Sequence, residues 1–317
     1  MNNKIKTPIK SLDEILHLAK NLVKKHGPYR VALAGGSDAT CVGGLNLAMK
    51  KGFIKPIIVG HRRRIDKTFA KLSLSQDGWD IYEDKDQKSA TKNCAEGILR
   101  GDAEILMRGR LLARDFMKAL IDPDLRLKTK ESLWTNVVVV DNPKINRLLL
   151  INDCGIIVNA DLPKRLRQIT KIIEFAEFLG ITDVKIALLA AVESISAGMP
   201  VSLEEAVISK MCERGQFPVG VEIDGPLSLD LAISPEAVKK KGFKGNVAGN
   251  ADALVVNNLG IGNLLFKSLI TLCGSKSAST IIGLPFPVVF TSRSENPDNI
   301  LYSLAMAILQ AGEKGAM

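Results

Sequence analysis

The sequence is short of several residue types that carry chemistry, and each scarcity excludes a class of function. Among 317 residues there are five cysteines, Cys41, Cys94, Cys154, Cys212 and Cys273, far apart and without a CxxC pair. That pattern argues against a disulfide framework and against a thiolate zinc site. The three histidines, His17, His26 and His61, all fall near the start, so neither an HExxH helix nor a late Ser/His pairing is available. Proton chemistry is left to a carboxylate or a lysine, and no metal site is expected. Neither GxGxxG nor GxxxxGK[ST] occurs, so the nucleotide-binding fingerprints are absent as well. Aromatic residues make up 5%, and the basic clusters Lys24-Lys25, Arg62 to Arg64 and Lys239 to Lys241 are short and scattered. A nucleic-acid surface is therefore not expected, and each cluster reads more simply as solvated surface. No apolar run reaches the roughly 18 uncharged residues of a membrane span. The opening MNNKIKTPIKSLDEILHLAK has no apolar signal-peptide core. The expected location is the cytoplasm, with no membrane partner.

What is present fits an ordinary globular chain, with 46% hydrophobic and 24% charged residues. Lysine and arginine outnumber aspartate and glutamate by 43 to 34, a net charge of +9, which suits an anionic ligand such as a phosphorylated small molecule. From Tyr29 onward, short apolar runs rich in valine and isoleucine alternate with longer amphipathic segments, which reads as α/β with mainly parallel sheets. The candidate strands are Arg30 to Ala34, Lys55 to Val59, Asp80 to Tyr82, Ala103 to Met107, Asn136 to Val140 and Leu148 to Ile151. Further along they are Ile156 to Val158, Lys185 to Ala190, Val219 to Ile223, Ala253 to Val256, Thr280 to Ile282 and Val288 to Phe290. Helix starts are marked by the capping boxes Ser11 with Glu14 and Ser202 with Glu205. Asp161 caps a helix whose stripe of Leu166, Ile169, Ile173, Ala176 and Leu179 ends at Gly180. Ser234-Pro235 is a cap followed by proline at the first helical position. Domain crossings are expected at the short breaks Asn142-Pro143 and Gly283-Leu284-Pro285.

Several strand ends could carry chemistry. The run Gly35-Gly36-Ser37-Asp38-Ala39-Thr40 joins a strand to a helix beginning near Cys41, a geometry that suits an anion but also suits simple tight packing. Arg108-Gly109-Arg110 puts two guanidinium groups at a strand's carboxyl end, where open α/β sheets bind ligands. After the strand Ala253 to Val256 come Asn257-Asn258 and the turn Gly260-Ile261-Gly262-Asn263, opening a helix that carries Lys267. The strand ending at Phe290 runs into Thr291-Ser292-Arg293-Ser294, hydroxyls flanking an arginine.

Taken in order, VEIDGPLSLDLAIS, VAGNADALVVNNLGIGNLLFKSL and GLPFPVVFTSRSENPDN resemble the phosphate acetyltransferase and phosphate butyryltransferase family. KMCERGQ, DGPLSLDLAIS, VAGNADALVV and VVFTSR place the likeness closer to the butyryl branch. The resemblance runs over nearly the whole chain. It implies reversible transfer of an acyl group between coenzyme A and inorganic phosphate, with coenzyme A as a substrate and no further cofactor. It also implies two α/β domains of isocitrate/isopropylmalate dehydrogenase-like architecture, an interdomain cleft and a homodimer or larger homo-oligomer. The expected division is residues 1–142 plus 286–317 for a discontinuous first domain and 143–285 for the second, which would carry the dimer interface.

By the same resemblance Ser292 and Arg293 are the family's serine-arginine pair, with Arg293 on phosphate and Ser292 near the thioester carbonyl. Arg108, Gly109, Asp224, Gly262, Asn263, Lys267 and Thr291 are implied in substrate binding. Asp298 is the expected base for the coenzyme A thiol, with Glu295 as the second choice, because the family's aspartate aligns with Asn299. The chain departs from the family pattern elsewhere too: Arg108 replaces a lysine, Ile157 an asparagine and Asn257-Asn258 a Pro-Asp, while Asn250 stands at a commonly basic position. The competing reading is a divergent member that binds coenzyme A or a phosphorylated metabolite without turnover. A dehydrogenase or decarboxylase on the same architecture is disfavoured by the missing fingerprint and the lack of an aspartate cluster for metal.

Overall fold

A computed structural model of the protein describes residue 5, residues 7–292 and residues 295–314. Its strands are β1 (Tyr29–Ala34), β2 (Ile54–Gly60), β3 (Asp80–Glu83), β4 (Ile105–Arg108), β5 (Thr135–Asp141), β6 (Leu149–Asn152), β7 (Lys185–Leu189), β8 (Glu222–Leu227), β9 (Ala253–Val255), β10 (Lys276–Ile282) and β11 (Val288–Val289). The fold is mixed α/β with mostly parallel strand pairing. The chain forms two compact units, one holding Leu12–Trp134 and the stretch from Ser277 onward, the other Thr135–Lys276. The crossings thus fall ahead of both Pro/Gly breaks.

In the first unit the strand order is β3-β2-β1-β4-β11-β10. All pairs are parallel except β10 with β11. Ile105, Leu106 and Met107 are fully buried in sequence. Such unbroken burial is what a strand covered on both faces requires, and it explains why the run shows no alternation. β1 leads outward to β2 and β3, whereas β4 lies on the other side of β1, so the topological switch falls between β1 and β4. The helix Pro297–Lys314 packs on the helices Leu12–His26 and Ala39–Lys50. Its Ile300, Leu304 and Ile308 are fully buried, and burial contributes about 1.5–3 kcal/mol for each such side chain. A Cβ on Gly44 would stand 2.4 Å from Ile300 Cγ2, so this glycine is where the two helices close up. Tyr302 donates its hydroxyl hydrogen to Asp13 Oδ1 at 2.6 Å. These contacts fix the last helix against the first unit.

In the second unit the order is β5-β6-β9-β7-β8, with β5 and β6 antiparallel and the other pairs parallel. Val138, Ile151, Leu227, Leu254 and Phe266 belong to its core. Asp161 caps the helix Leu162–Phe178 through Lys164 N at 3.0 Å, and Ser234 caps Pro235–Lys241 through Ala237 N at 3.2 Å. Both were legible from local spacing.

Three expectations need correction. Ile156 to Val158 is not a strand, because the Asp153 carboxylate accepts from Gly155 N and Ile156 N, each at 2.7 Å, and folds the backbone into a turn. The strand expected at Val219 begins at Glu222, since Gly220 takes φ +90° and Val221 N bonds back to Pro218 O. Ser202 and Glu205 do not form a capping box. The helix starts earlier, at Pro200, Ser202 Oγ donates back to Met199 O at 2.8 Å, and Glu205 turns inward to Arg165.

Candidate active site

In the first unit Ala34 and Arg108 end neighbouring parallel strands in register, and Met107 pairs with Val289 on the other side. Gly109 N donates to Ala34 O at 2.8 Å, and Arg110 N to Gly35 O at 2.9 Å. A Cβ on Gly109 would stand 2.4 Å from Gly35 O and 2.7 Å from Ala34 O. Only glycine lets the two strand ends meet. Gly36 is equally crowded, with Ile58 Cγ2 at 2.0 Å from any added Cβ. The anion at the following helix start is the chain's own, since Asp38 accepts from Thr40 N and Cys41 N at 2.9 and 3.1 Å.

Arg108 is buried, its guanidinium carbon 4.1 Å above the Phe290 ring centroid, and its Nη2 donates to Thr291 O. A planar cation on an aromatic face, tied to a carbonyl, is an arrangement for which arginine is suited and lysine is not. Behind it the Cys41 thiol donates to Arg108 O at 3.8 Å. Burial pushes this thiol far up, with Asp38 adding to the effect, so Cys41 is a packed thiol rather than a nucleophile. Ser292 is half-buried and its carbonyl accepts from Glu295 N at 3.2 Å. Glu295 and Asn299 are buried, at 5% and 2% exposure, while Asp298 is exposed. The cap of the last helix comes from Asn296, whose Oδ1 accepts from Asn299 N at 2.8 Å, so Asp298 has no capping duty. Asn299 Oδ1 in turn accepts from Ser277 N at 3.1 Å. Arg293 lies outside the described residues.

In the second unit the turn after β6 is built round Asp153, 1% exposed. Besides Gly155 N and Ile156 N, its carboxylate accepts from Thr135 Oγ1 at 2.8 Å and Asn136 N at 2.9 Å. Burial nevertheless raises its pKa, outweighing these donors. Asn152 Nδ2 donates to Thr135 Oγ1 and Asn136 O, and Gln168 Nε2 reaches Asn152 Oδ1. The turn abuts the helix Leu259–Thr271. A Cβ on Gly262 would meet Asp153 O at 2.1 Å, and Asn263 Nδ2 donates to Cys154 O at 3.2 Å. Gly260 and Gly262 therefore sit inside the helix rather than in a turn before it, and Asn258 Oδ1 caps it through Ile261 N at 3.1 Å. Lys267 is exposed on the same helix.

The structure thus gathers Arg108, Gly109, Thr291 and Ser292 in one unit, and Gly262, Asn263 and Lys267 on one helix of the other. Asp224 stands apart from the latter. It lies on β8, three strand positions and about 14 Å from β6 at ordinary spacing. Its carboxylate accepts from Gly225 N at 2.9 Å and is raised by burial. Sequence reasoning missed Phe290, Cys41, Asn152 and Gln168. The polarity of Asn152 within an apolar strand was the one available signal. Among the described residues no group of three or more His, Cys, Asp or Glu could hold a metal ion, and no helix is long and apolar enough to cross a membrane.

Residues 96–308 match the family model described as "Phosphate acetyl/butaryl transferase". The chain belongs to this family. The match begins just before β4 and ends within the last helix, so it contains Arg108, Asp153, Asp224, Lys267, Ser292, Arg293 and Asp298. A phosphate butyryltransferase of Clostridium acetobutylicum is 32% identical over 96% of this chain and 100% of that protein. A phosphate acetyltransferase of Thermotoga maritima is 31% identical over 95% of this chain and 99% of its own length. Among solved structures, a branched-chain phosphotransacylase from Enterococcus faecalis V583 superposes with a TM-score of 0.76 at 28% identity, covering 89% of this chain and 99% of that one. The chain is therefore a member of a phosphate acyltransferase family. Overall identity does not separate its butyryl and acetyl branches.

Proposed function

We propose that this chain transfers a short acyl group, butyryl- or acetyl-like, reversibly between coenzyme A and inorganic phosphate. A phosphate oxygen attacks the thioester carbonyl carbon, the carbon–sulfur bond breaks, and coenzyme A leaves as thiolate while acyl phosphate forms. The observation that carries this reading is the anchoring of the segment after β11: buried Arg108 grips Thr291 O and stacks on Phe290, immediately before Ser292 and Arg293. Donors that meet a developing oxyanion are usually the largest catalytic contribution, and the serine and arginine that follow the anchored Thr291 are of the right chemistry to supply them. Arg293 binds phosphate as a planar fork, Ser292 faces the thioester carbonyl, and Gly109, Thr291, Gly262, Asn263, Lys267 and Asp224 contribute to substrate binding. In the direction from acyl phosphate, Asp298 takes the thiol proton. Its exposure and freedom from capping support that role. Glu295, buried three residues after Ser292, is the alternative base.

The reading needs no metal or redox cofactor. It extends to a homo-oligomer with isocitrate/isopropylmalate dehydrogenase-like domains working in the cytoplasm, where acyl-coenzyme A and phosphate meet. The test is thiol release from acetyl-, propionyl- and butyryl-coenzyme A with and without phosphate, in the presence and absence of EDTA. Phosphate-dependent release, unchanged by EDTA, is expected. Coenzyme A binding with no phosphate-dependent release from any of the three would establish the non-catalytic alternative.

A further inference from the structure

An open cleft lies over the carboxyl ends of β1 and β2 and the segment after β3. It falls wholly before residue 96, outside the segment that the family model matches. Its floor is backbone: Gly35 and Gly60 line it, and a Cβ on Gly60 would already press on Gly36 N at 3.1 Å. Its walls carry His61, Arg64 and Lys85. Among the described residues neither Arg64 nor Lys85 forms an ion pair, and His61 Nδ1 is buried without a hydrogen-bond partner. The one acid in the lining, Asp84, is engaged locally, accepting from Asp86 N at 2.9 Å and Asn93 Nδ2 at 2.8 Å.

The same corner holds a local electrostatic conflict. The helix Arg62–Lys71 opens on three arginines, with no acid in its first turn and no side-chain cap from His61. Cations at the positive end of a helix are unfavourable. Only Arg62 is relieved, by Asp66 at 3.0 Å. The next helix start in the same layer shows the ordinary solution, with Asp38 supplying a carboxylate to the free N–H groups. At the β2 end the chain supplies none, and an incoming anion would fill that place.

We propose that this cleft takes a phosphate group carried by an organic ligand, held by Arg64, Lys85 and the His61 imidazole. Two sources share that chemistry: the 3′-phosphate of coenzyme A, which rests on the acyltransferase reading, and a separate phosphorylated metabolite, which does not. Calorimetric titration of the full chain with adenosine 3′,5′-bisphosphate tests the site, with adenosine as control. Binding of the bisphosphate but not adenosine is expected, weakened at least tenfold in the double variant Arg64→Glu, Lys85→Glu and a few-fold in His61→Gln. Both charge reversals are at exposed positions, so an unchanged melting temperature is expected to accompany the loss. A raised KM for butyryl-coenzyme A with an unchanged KM for phosphate in the double variant assigns the site to coenzyme A. Lost bisphosphate binding with an unchanged KM assigns it to another metabolite. Equal bisphosphate affinity in the wild type and double variant, or no binding to the wild type, overturns the site whatever the thiol-release assay gives. Lost binding in a chain that shows no turnover leaves the site standing and removes the acyltransferase reading alone.

Discussion

Arg108 ends β4, Asp153 follows β6, and both are buried charged side chains just where a parallel strand gives way to a loop. They are held in different ways. Asp153 accepts four hydrogen bonds, all from residues 135, 136, 155 and 156, two to each oxygen. A carboxylate has about four lone-pair sites, so this one is saturated, half by its own turn and half by the start of β5. Arg108 instead directs its contacts at a distant segment, Phe290 and Thr291, the last residues before Ser292 and Arg293. One anchor ties its own turn to the neighbouring strand β5; the other ties the end of β4 to the residues that follow β11. Burial of a charged group thus says little about function until its partners are known, because saturation and reach have opposite consequences for a ligand.

The contrast breaks most visibly in the segment that follows Thr291. Arg293→Lys is expected to lose on the order of tenfold to a thousandfold in turnover, since a point charge replaces a planar fork. Near-normal kinetics in the folded variant would mean that this loop does not hold the phosphate. Asp298→Asn should lower turnover about tenfold or more in the direction from acyl phosphate, within the lower reach of general-base effects, and leave the melting curve in place because Asn296 provides the cap. Normal rates in Asp298→Asn with impaired Glu295→Gln would move the base to Glu295.

A milder intervention sharpens the role of the anchor itself. Arg108→Lys keeps the charge but loses the flat stacking on Phe290 and the guanidinium bond to Thr291 O, so turnover should fall by up to about tenfold with little change in stability. No kinetic change would show that charge alone suffices there. Asp153→Asn should do the reverse. It sets an NH₂ group against donors and should cost about 1–3 kcal/mol of stability, read by denaturant melts, while turnover per folded molecule stays near the wild-type value. A large loss of turnover at full stability would make Asp153 part of a substrate site.

The smallest effect concerns a second buried charge in the same unit as Asp153. Arg165 and Glu205 are both fully buried and joined at 3.4 Å, and Arg165 also meets Glu204 at 3.0 Å. Burial pushes Glu205 up to about 7 despite the attraction of Arg165. A carboxyl group whose folded pKa lies above its unfolded value of about 4.3 stabilises the protein most below that value. This contribution is lost as pH rises through about 7. The denaturation midpoint should therefore fall between pH 5 and pH 8, and Glu205→Gln should flatten the trend. Equal slopes in the two proteins would assign the pH dependence to other groups.

Much of the architecture was legible because it rests on short-range rules. Unbroken apolar runs marked β1, β4 and β5, and the caps at Asp161 and Ser234 needed only residues within one turn. The glycines at 109 and 262, singled out from the sequence, stand where backbone segments approach too closely for any side chain. The errors arose where a side chain found a partner that no local pattern reveals. Ile156 has the composition of a strand residue, but Asp153 takes its N–H. Glu205 has the spacing of a capping box, but Arg165, forty residues earlier, draws it inside.

The sequence by itself determined the α/β alternation, most helix ends, the family and the residues to suspect, because periodicity, capping and turn chemistry act within a few residues. Only the tertiary structure decided which charged groups are buried and what each one touches. Arg108 and Thr291 are 183 positions apart in the chain, and the pairing exists because β11 docks beside β4 in the sheet. Burial fixes a charge only together with its partner, and that partner is chosen by strand order, a property of the whole fold.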